Sequence, residues 1–247
     1  MLAIYNREIR AYFTSPLGYV FIAVYFAVSG FVFTLTTLES GTTDAGTYFT
    51  TMLIFFIILI PLLTMKLLSE EIKLKTEQIL LTSPVSITNI VLAKFFAAFT
   101  LFACCLVVSN LVNFSVLANL AGKQAAANFN IYNKISIPTI AGSTVGILLL
   151  GGAFIAIGLF LSSLTENQLV AAVSTIGALV GIFILNILPS YISSEALRVF
   201  VKWLSLFGRF SPFAMGIFDL TSIVYYISIV IIFLFFTVRV FEKRRWA

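Results

Sequence analysis

The chain has 247 residues, 60% of them hydrophobic and only 10% charged, with a mean hydropathy of +1.09. A soluble globular chain carries about 25% charged residues, so this composition excludes a water-soluble fold and points to one polytopic, all-α integral membrane domain over residues 1–247. The net charge of +5 sits in basic clusters that abut apolar runs, which argues for the positive-inside rule and against a nucleic-acid partner. Histidine is absent, and with it the usual metal ligand and the usual neutral-pH general base. Cys104 and Cys105 are adjacent within an apolar run and read as packing residues, not as a disulfide or metal site.

Residues 1–14 carry Leu2, Tyr5, Ile9, Tyr12 and Phe13 at helical spacing, with Asn6, Arg7, Glu8 and Arg10 on the other face. That spacing predicts a helix lying in the membrane interface. Ser15-Pro16 restarts the chain, with proline at the first helical position. Residues 16–38 are uncharged and long enough to cross a hydrocarbon core of about 30 Å. After a short polar loop, residues 47–65 form the second predicted span, with Pro61 as a kink near its end.

The stretch Leu67–Ser86 is the long polar interruption with helical order. Glu70, Glu71, Lys73, Lys75 and Glu77 place charges so that Glu71–Lys75 and Lys73–Glu77 are four apart and Glu70–Lys73 three apart. Such pairs meet on a helix surface and stabilise it by roughly 0.2–0.5 kcal/mol each. The pattern predicts an amphipathic helix closed by Pro84, over residues 67–84 between two spans. A solvated connector is the plainer reading of the same charges.

The third predicted span covers residues 87–117. Lys94 lies in its first two turns, where it is expected to snorkel to the surface. A polar connection follows, and residues 138–164 form a fourth span rich in glycine (Gly142, Gly146, Gly151, Gly152, Gly158), which suits close helix packing in lipid. Thr165-Glu166-Asn167 is a tight turn into the fifth span, residues 168–188. Residues 191–217 are too polar to cross and too apolar to be a free loop. Leu197, Phe200, Val201 and Leu204 oppose Glu195, Arg198, Lys202, Ser205 and Arg209. An amphipathic or re-entrant outer helical pair fits, broken at Gly208 and Ser211-Pro212. Residues 220–238 are the sixth span, and EKRRWA is a basic tail with Trp246 as an interfacial anchor.

Six spans put both termini on one side. With the termini inside, Arg7, Arg10, Lys66, Lys73, Lys75, Lys94, Arg239, Lys243, Arg244 and Arg245 are inner, against Lys123, Lys134, Arg198, Lys202 and Arg209 outside. Ten against five predicts cytoplasmic termini. No internal repeat is evident, which weakens an inverted-repeat carrier. There is no G-x-x-x-x-G-K-[ST] phosphate loop, no H-E-x-x-H and no G-x-S-x-G, and acids inside the spans are scarce, which argues against a proton-driven carrier. No cofactor or metal is expected on this chain.

The stretch Glu70-Glu71…Lys75-Thr76-Glu77-Gln78-Ile79-Leu80-Leu81-Thr82-Ser83-Pro84-Val85 resembles the cytoplasmic signature of ABC-2-type transporter permeases. Many relatives have glycine where this chain has Lys75, so a backbone role for that glycine does not carry over. Ser162–Asn167 and the end of the chain, from Gly216-Ile217-Phe218-Asp219 through Tyr225-Tyr226 to Glu242–Trp246, look like the gliding-motility-type branch. The resemblance implies a six-helix permease that forms a homodimer, or a heterodimer with a related permease, and binds two copies of an ABC ATPase subunit, which hold the ATP. It implies ATPase contact through the N-terminal helix and the 67–84 segment, hence through Arg7, Arg10, Glu70, Glu71, Lys73, Lys75, Thr76, Glu77, Gln78 and Pro84. An extracellular auxiliary protein is a further partner it allows. The expected setting is a bacterial cytoplasmic membrane and the expected function is export of an unidentified substrate. The competing reading is a membrane-anchoring subunit that docks a complex without transport.

Overall fold

The computed structural model describes residues 1–40, 45–76, 85–127 and 137–246. The protein is an all-α integral membrane protein. Its helices are α1 (Leu2–Thr14), α2 (Pro16–Phe33), α3 (Ala45–Thr64), α4 (Ser69–Lys73), α5 (Ile87–Ala127), α6 (Ile137–Leu164), α7 (Gln168–Ile187), α8 (Glu195–Leu204), α9 (Ser211–Ala214) and α10 (Leu220–Trp246). Six segments are long and apolar enough to cross a membrane, and no strand occurs among the described residues.

Local chemistry explains several boundaries. Pro16 opens α2 at its first position, where its missing N–H costs nothing. Asn167 opens α7, its Oδ1 accepting the Leu169 N–H at 2.9 Å. Asp219 opens α10, with Oδ1 accepting from Thr221 N and Oδ2 from Ser222 N, both at 3.1 Å. The first span continues past Phe33 as a π-helical run, Thr34–Glu39. Helix α3 runs through Pro61 to Thr64. Helix α5 continues to Ala127, beyond the apolar part of its sequence, and at 41 residues is about 60 Å long.

Helix α6 is the central strut. Its apolar window is 67% buried, against 17% for α7 and for α10, which therefore lie at the periphery. The glycines of α6 admit neighbours. A Cβ on Gly151 would lie 2.3 Å from the Phe102 ring of α5, and one on Gly158 would lie 2.3 Å from Thr64 Oγ1 of α3. The apolar body is aromatic: Phe56 and Phe102 meet at 5.4 Å between ring centroids, and Tyr25 lies 6.3 Å from each.

Buried hydroxyl and amide groups tie the spans. Ser29 of α2 bonds Tyr48 OH of α3 at 2.8 Å and Ser109 Oγ of α5. Asn113 Nδ2 donates to Ser29 Oγ at 3.0 Å and to Tyr48 OH at 3.2 Å. Asn110 Nδ2 reaches Thr144 of α6 at 3.1 Å. In lipid such bonds contribute about 0.6–2 kcal/mol each.

At the end opposite the termini the chain re-enters the bundle between α8 and α10. The amphipathic α8 buries no residue. The break comes at Ser205–Phe207, before Gly208, because Phe207, Phe210 and Phe213 turn inward to 7%, 1% and 0% exposure.

The turn between α1 and α2 needs a residue without Cβ. A Cβ on Gly18 would lie 2.0 Å from the Tyr12 carbonyl oxygen, a backbone atom that cannot swing aside. We expect Gly18→Val to lower the thermal midpoint of the detergent-solubilised protein, with a cost of about 1–3 kcal/mol from overpacking. An unchanged midpoint would show that α1 is not held against α2.

Candidate functional site: a buried charge joint at the termini end of the bundle

Helix α1 is tied to the bundle by two tyrosines. Tyr5 OH bonds Thr100 Oγ1 of α5 at 3.0 Å, and Tyr12 OH donates to the Leu63 carbonyl of α3 at 3.3 Å. Burial, reinforced by the nearby Glu8 charge, pushes the Tyr12 hydroxyl well above its ordinary pKa. Leu2 and Phe13 stay exposed, so only part of the apolar face meets protein.

Lys94 departs most from the sequence expectation. It does not snorkel: its side chain is 1% exposed. Its Nζ donates to the Leu67 carbonyl at 2.9 Å and forms ion pairs with Glu71 Oε1 at 2.9 Å and Glu8 Oε1 at 3.2 Å. One ammonium thus joins α1, α4 and α5. Arg7 closes the cluster from the solvent side, with Nη2 at 2.6 Å from Glu8 Oε1 and 2.9 Å from Glu71 Oε1. Burial works to lower the Arg7 pKa, but hydrogen bonds and charge from Glu8 and Glu71 outweigh it and the net shift is upward. Two carboxylates and two cations balance, as a buried cluster must if none is to carry an uncompensated desolvation cost. Glu71 Oε2 is buried with no hydrogen-bond partner among the described residues, so the charges balance while this one oxygen keeps an unmet desolvation cost.

Helix α4 is capped from outside its own sequence. Leu68 and Ser69 N–H groups donate to Ser162 Oγ of α6 at 3.3 and 3.1 Å, and that hydroxyl donates to the Met65 carbonyl at 3.3 Å. One serine therefore fixes the entry of α4 to the central strut. The α10 end joins the same region, with Arg244 Nη2 donating to the Ser163 carbonyl at 3.0 Å.

The helix expected over residues 67–84 is instead one turn, Ser69–Lys73, among the described residues. Lys75 adopts φ 56°, a left-handed conformation that ends it. Lysine thus adopts at position 75 a backbone conformation that glycine takes without strain. The predicted Glu71–Lys75 and Glu70–Lys73 pairs do not form. Glu71 turns inward to Lys94, and Glu70 pairs with Lys66 at 3.1 Å. The buried ammonium outcompetes a solvated partner because its attraction is less screened.

Of the predicted contact residues, Arg7, Glu70 and Glu71 are brought into or beside the joint. Arg10, Lys73, Lys75 and Thr76 lie exposed around it, with the Thr76 hydroxyl donating to the Glu71 carbonyl at 3.4 Å. Glu77, Gln78 and Pro84 lie outside the described residues. Glu8, Lys94 and Ser162 were not singled out for this site from sequence. The available signal was that Lys94 is a cation inside an apolar span and Glu8 the one acid of the first helix, since intramembrane charges pair by default.

Residues 27–241 match the family described as ABC-2 family transporter protein. That match does not single out the gliding-motility-type branch. No curated protein matches the chain.

Two outcomes test the joint. Lys94→Met leaves Glu8 and Glu71 with Arg7 alone and is expected to destabilise by about 3–5 kcal/mol, whereas adding Glu8→Gln and Glu71→Gln should recover much of the loss in a thermal melt. A single variant that melts like wild type would show that the ammonium holds nothing. Lys75→Gly should raise stability by about 1 kcal/mol, since left-handed backbone is disfavoured for residues with a Cβ; a lower midpoint would mean the lysine side chain outweighs the strain.

Proposed function

Since the chain belongs to the ABC-2 transporter family and is a multi-pass permease subunit, we propose that it exports its cargo across a bacterial cytoplasmic membrane using ATP hydrolysed by a separate ATPase. The observation that carries this reading is the Lys94 joint, which ties the two segments best placed for docking, α1 and α4, to the third span. Two ATPase subunits bind two permease copies, or this chain and a related permease, against the exposed residues Arg10, Lys73, Lys75 and Thr76. Nucleotide-driven closure of the ATPase pair displaces α1 and α4 together. The ion cluster passes the displacement to α5, and Ser162 passes it to α6, shifting the balance between inward-open and outward-open states. The termini face the cytoplasm, in line with the ten-to-five basic count. Cargo moves between spans one, two and five. An extracellular auxiliary protein has access to the re-entrant segment.

The purified chain alone is expected to hydrolyse no ATP, and its cognate ATPase to copurify with it. Reversing the exposed charges with Arg10→Glu and Lys73→Glu should weaken that copurification by up to about tenfold without lowering the thermal midpoint, since exposed pairs contribute about 0–1 kcal/mol each. Normal binding and normal cargo-dependent hydrolysis in the double variant would remove this face from the docking site. A stable complex whose ATPase rate ignores cargo would instead mark an anchoring subunit.

A further inference from the structure

Two recesses meet at the end of the bundle opposite the termini, sharing Asn186 and Gly208 as a common wall. One, of about 540 Å³, is lined by Lys202, Trp203 and Arg209. The other, of about 720 Å³, has no charged lining residue and is walled by Thr50, Thr51, Phe183, Phe207 and Phe210. They are chemically unlike halves of one space.

The cationic half is built, not a chance pairing of surface side chains. The Arg209 guanidinium lies 5.5 Å from the Trp203 ring centroid and 4.9 Å from that of Tyr225, with one long bond of 3.4 Å from Nη2 to the Trp203 carbonyl. A guanidinium stacked over rings keeps its in-plane N–H edge free for an oxyanion. The platform is fixed by Tyr225 OH and Tyr226 OH, which donate to the Leu204 and Leu206 carbonyls at 2.7 Å each, and by Ser205 Oγ bonded to Asn186 Oδ1 at 3.1 Å. Lys202 is exposed and has no acidic partner among the described residues. Asp219, which also lines this recess, is ionised but forms no ion pair with Lys202 or Arg209 among the described residues, so the recess keeps a net charge of one cation. Its oxygens accept from Ser222 and Thr221, and the Ser222 hydrogen bond chiefly holds its carboxyl below the usual range.

The other half suits a chain or ring that carries little charge. Thr50 and Thr51 spend their hydroxyl protons on the Gly46 and Thr47 carbonyls at 2.9 Å each, so they offer only lone pairs. The opposing wall is aromatic. Leu197, Phe200 and Trp203 of α8 are exposed apolar side chains, and Trp203 also lines the cationic recess, which suits an occupant with an apolar part.

We propose that this double recess binds one anionic amphiphile drawn from the membrane, its phosphate held by Arg209 and Lys202 and its apolar part laid along the Thr–Phe groove. Free inorganic phosphate shares the head chemistry but has nothing to place in the groove.

The test uses the full chain carrying Trp246→Phe, which leaves Trp203 as its one tryptophan, in phosphatidylcholine vesicles. Trp203 quenching by brominated phosphatidylglycerol is compared with quenching by brominated phosphatidylcholine. A preference of about tenfold for the anionic lipid is expected. Arg209→Gln and Lys202→Gln should each remove most of it, and Arg209→Lys should give an intermediate value, because the charge remains while the planar fork is lost. Inorganic phosphate should not compete. Equal quenching by the two lipids, or a preference that survives the Arg209→Gln/Lys202→Gln double variant, would overturn the proposal. Displacement by inorganic phosphate would overturn the amphiphile and leave a simple anion site. Lys202 is exposed, so its variant separates lost binding from lost folding. The assay contains no ATPase, so its failure and the failure of the transport reading are told apart.

Discussion

A lysine ammonium buried to 1% exposure cannot stand alone at the edge of a membrane. Lys94 must be neutralised and hydrogen-bonded, and its neighbours supply both needs. Glu8 comes from the first helix, Glu71 from the segment after the second span, and the Leu67 carbonyl from the turn between α3 and α4. That requirement explains why α1 lies against α5 and why Glu71 faces inward. Arg7 balances the second carboxylate. Moving any of the three elements alone strands a charge, so the elements are expected to move as one body.

The rest of the bundle distributes the same logic of mutual satisfaction through lipid. Since lipid tails offer no hydrophobic drive between helices, contact depends on close packing and on shared polar groups. Helix α6 supplies the first through glycines that admit Phe102 and Thr64. Ser29, Tyr48, Ser109 and Asn113 supply the second among the first three spans. The peripheral helices α7 and α10 share less of this core, and it is at their far ends that the aromatic–cationic recess opens. The two ends of the molecule therefore differ in kind. Near the termini Lys94 and Arg7 pair with Glu8 and Glu71, and at the opposite end Lys202 and Arg209 have no acidic partner among the described residues.

The sequence by itself determined whatever depends on near neighbours along the chain. Six apolar runs, the proline that opens α2, the tight turn at Asn167 and the amphipathic spacing of α1 and α8 are local patterns, because hydropathy and helical period act over a few turns. Tertiary structure decided everything that depends on which distant groups compete for a side chain. Glu71 has Lys75 four residues away at helical spacing, yet it pairs with Arg7, 64 positions earlier, and with Lys94. Lys94 reads as a snorkelling cation until a carboxylate from the first helix is brought beside it. Ser162 caps α4 from more than ninety positions away. A buried ion pair is stronger than an exposed one because water no longer screens it, and burial is a property of the assembled bundle that no local window of sequence contains.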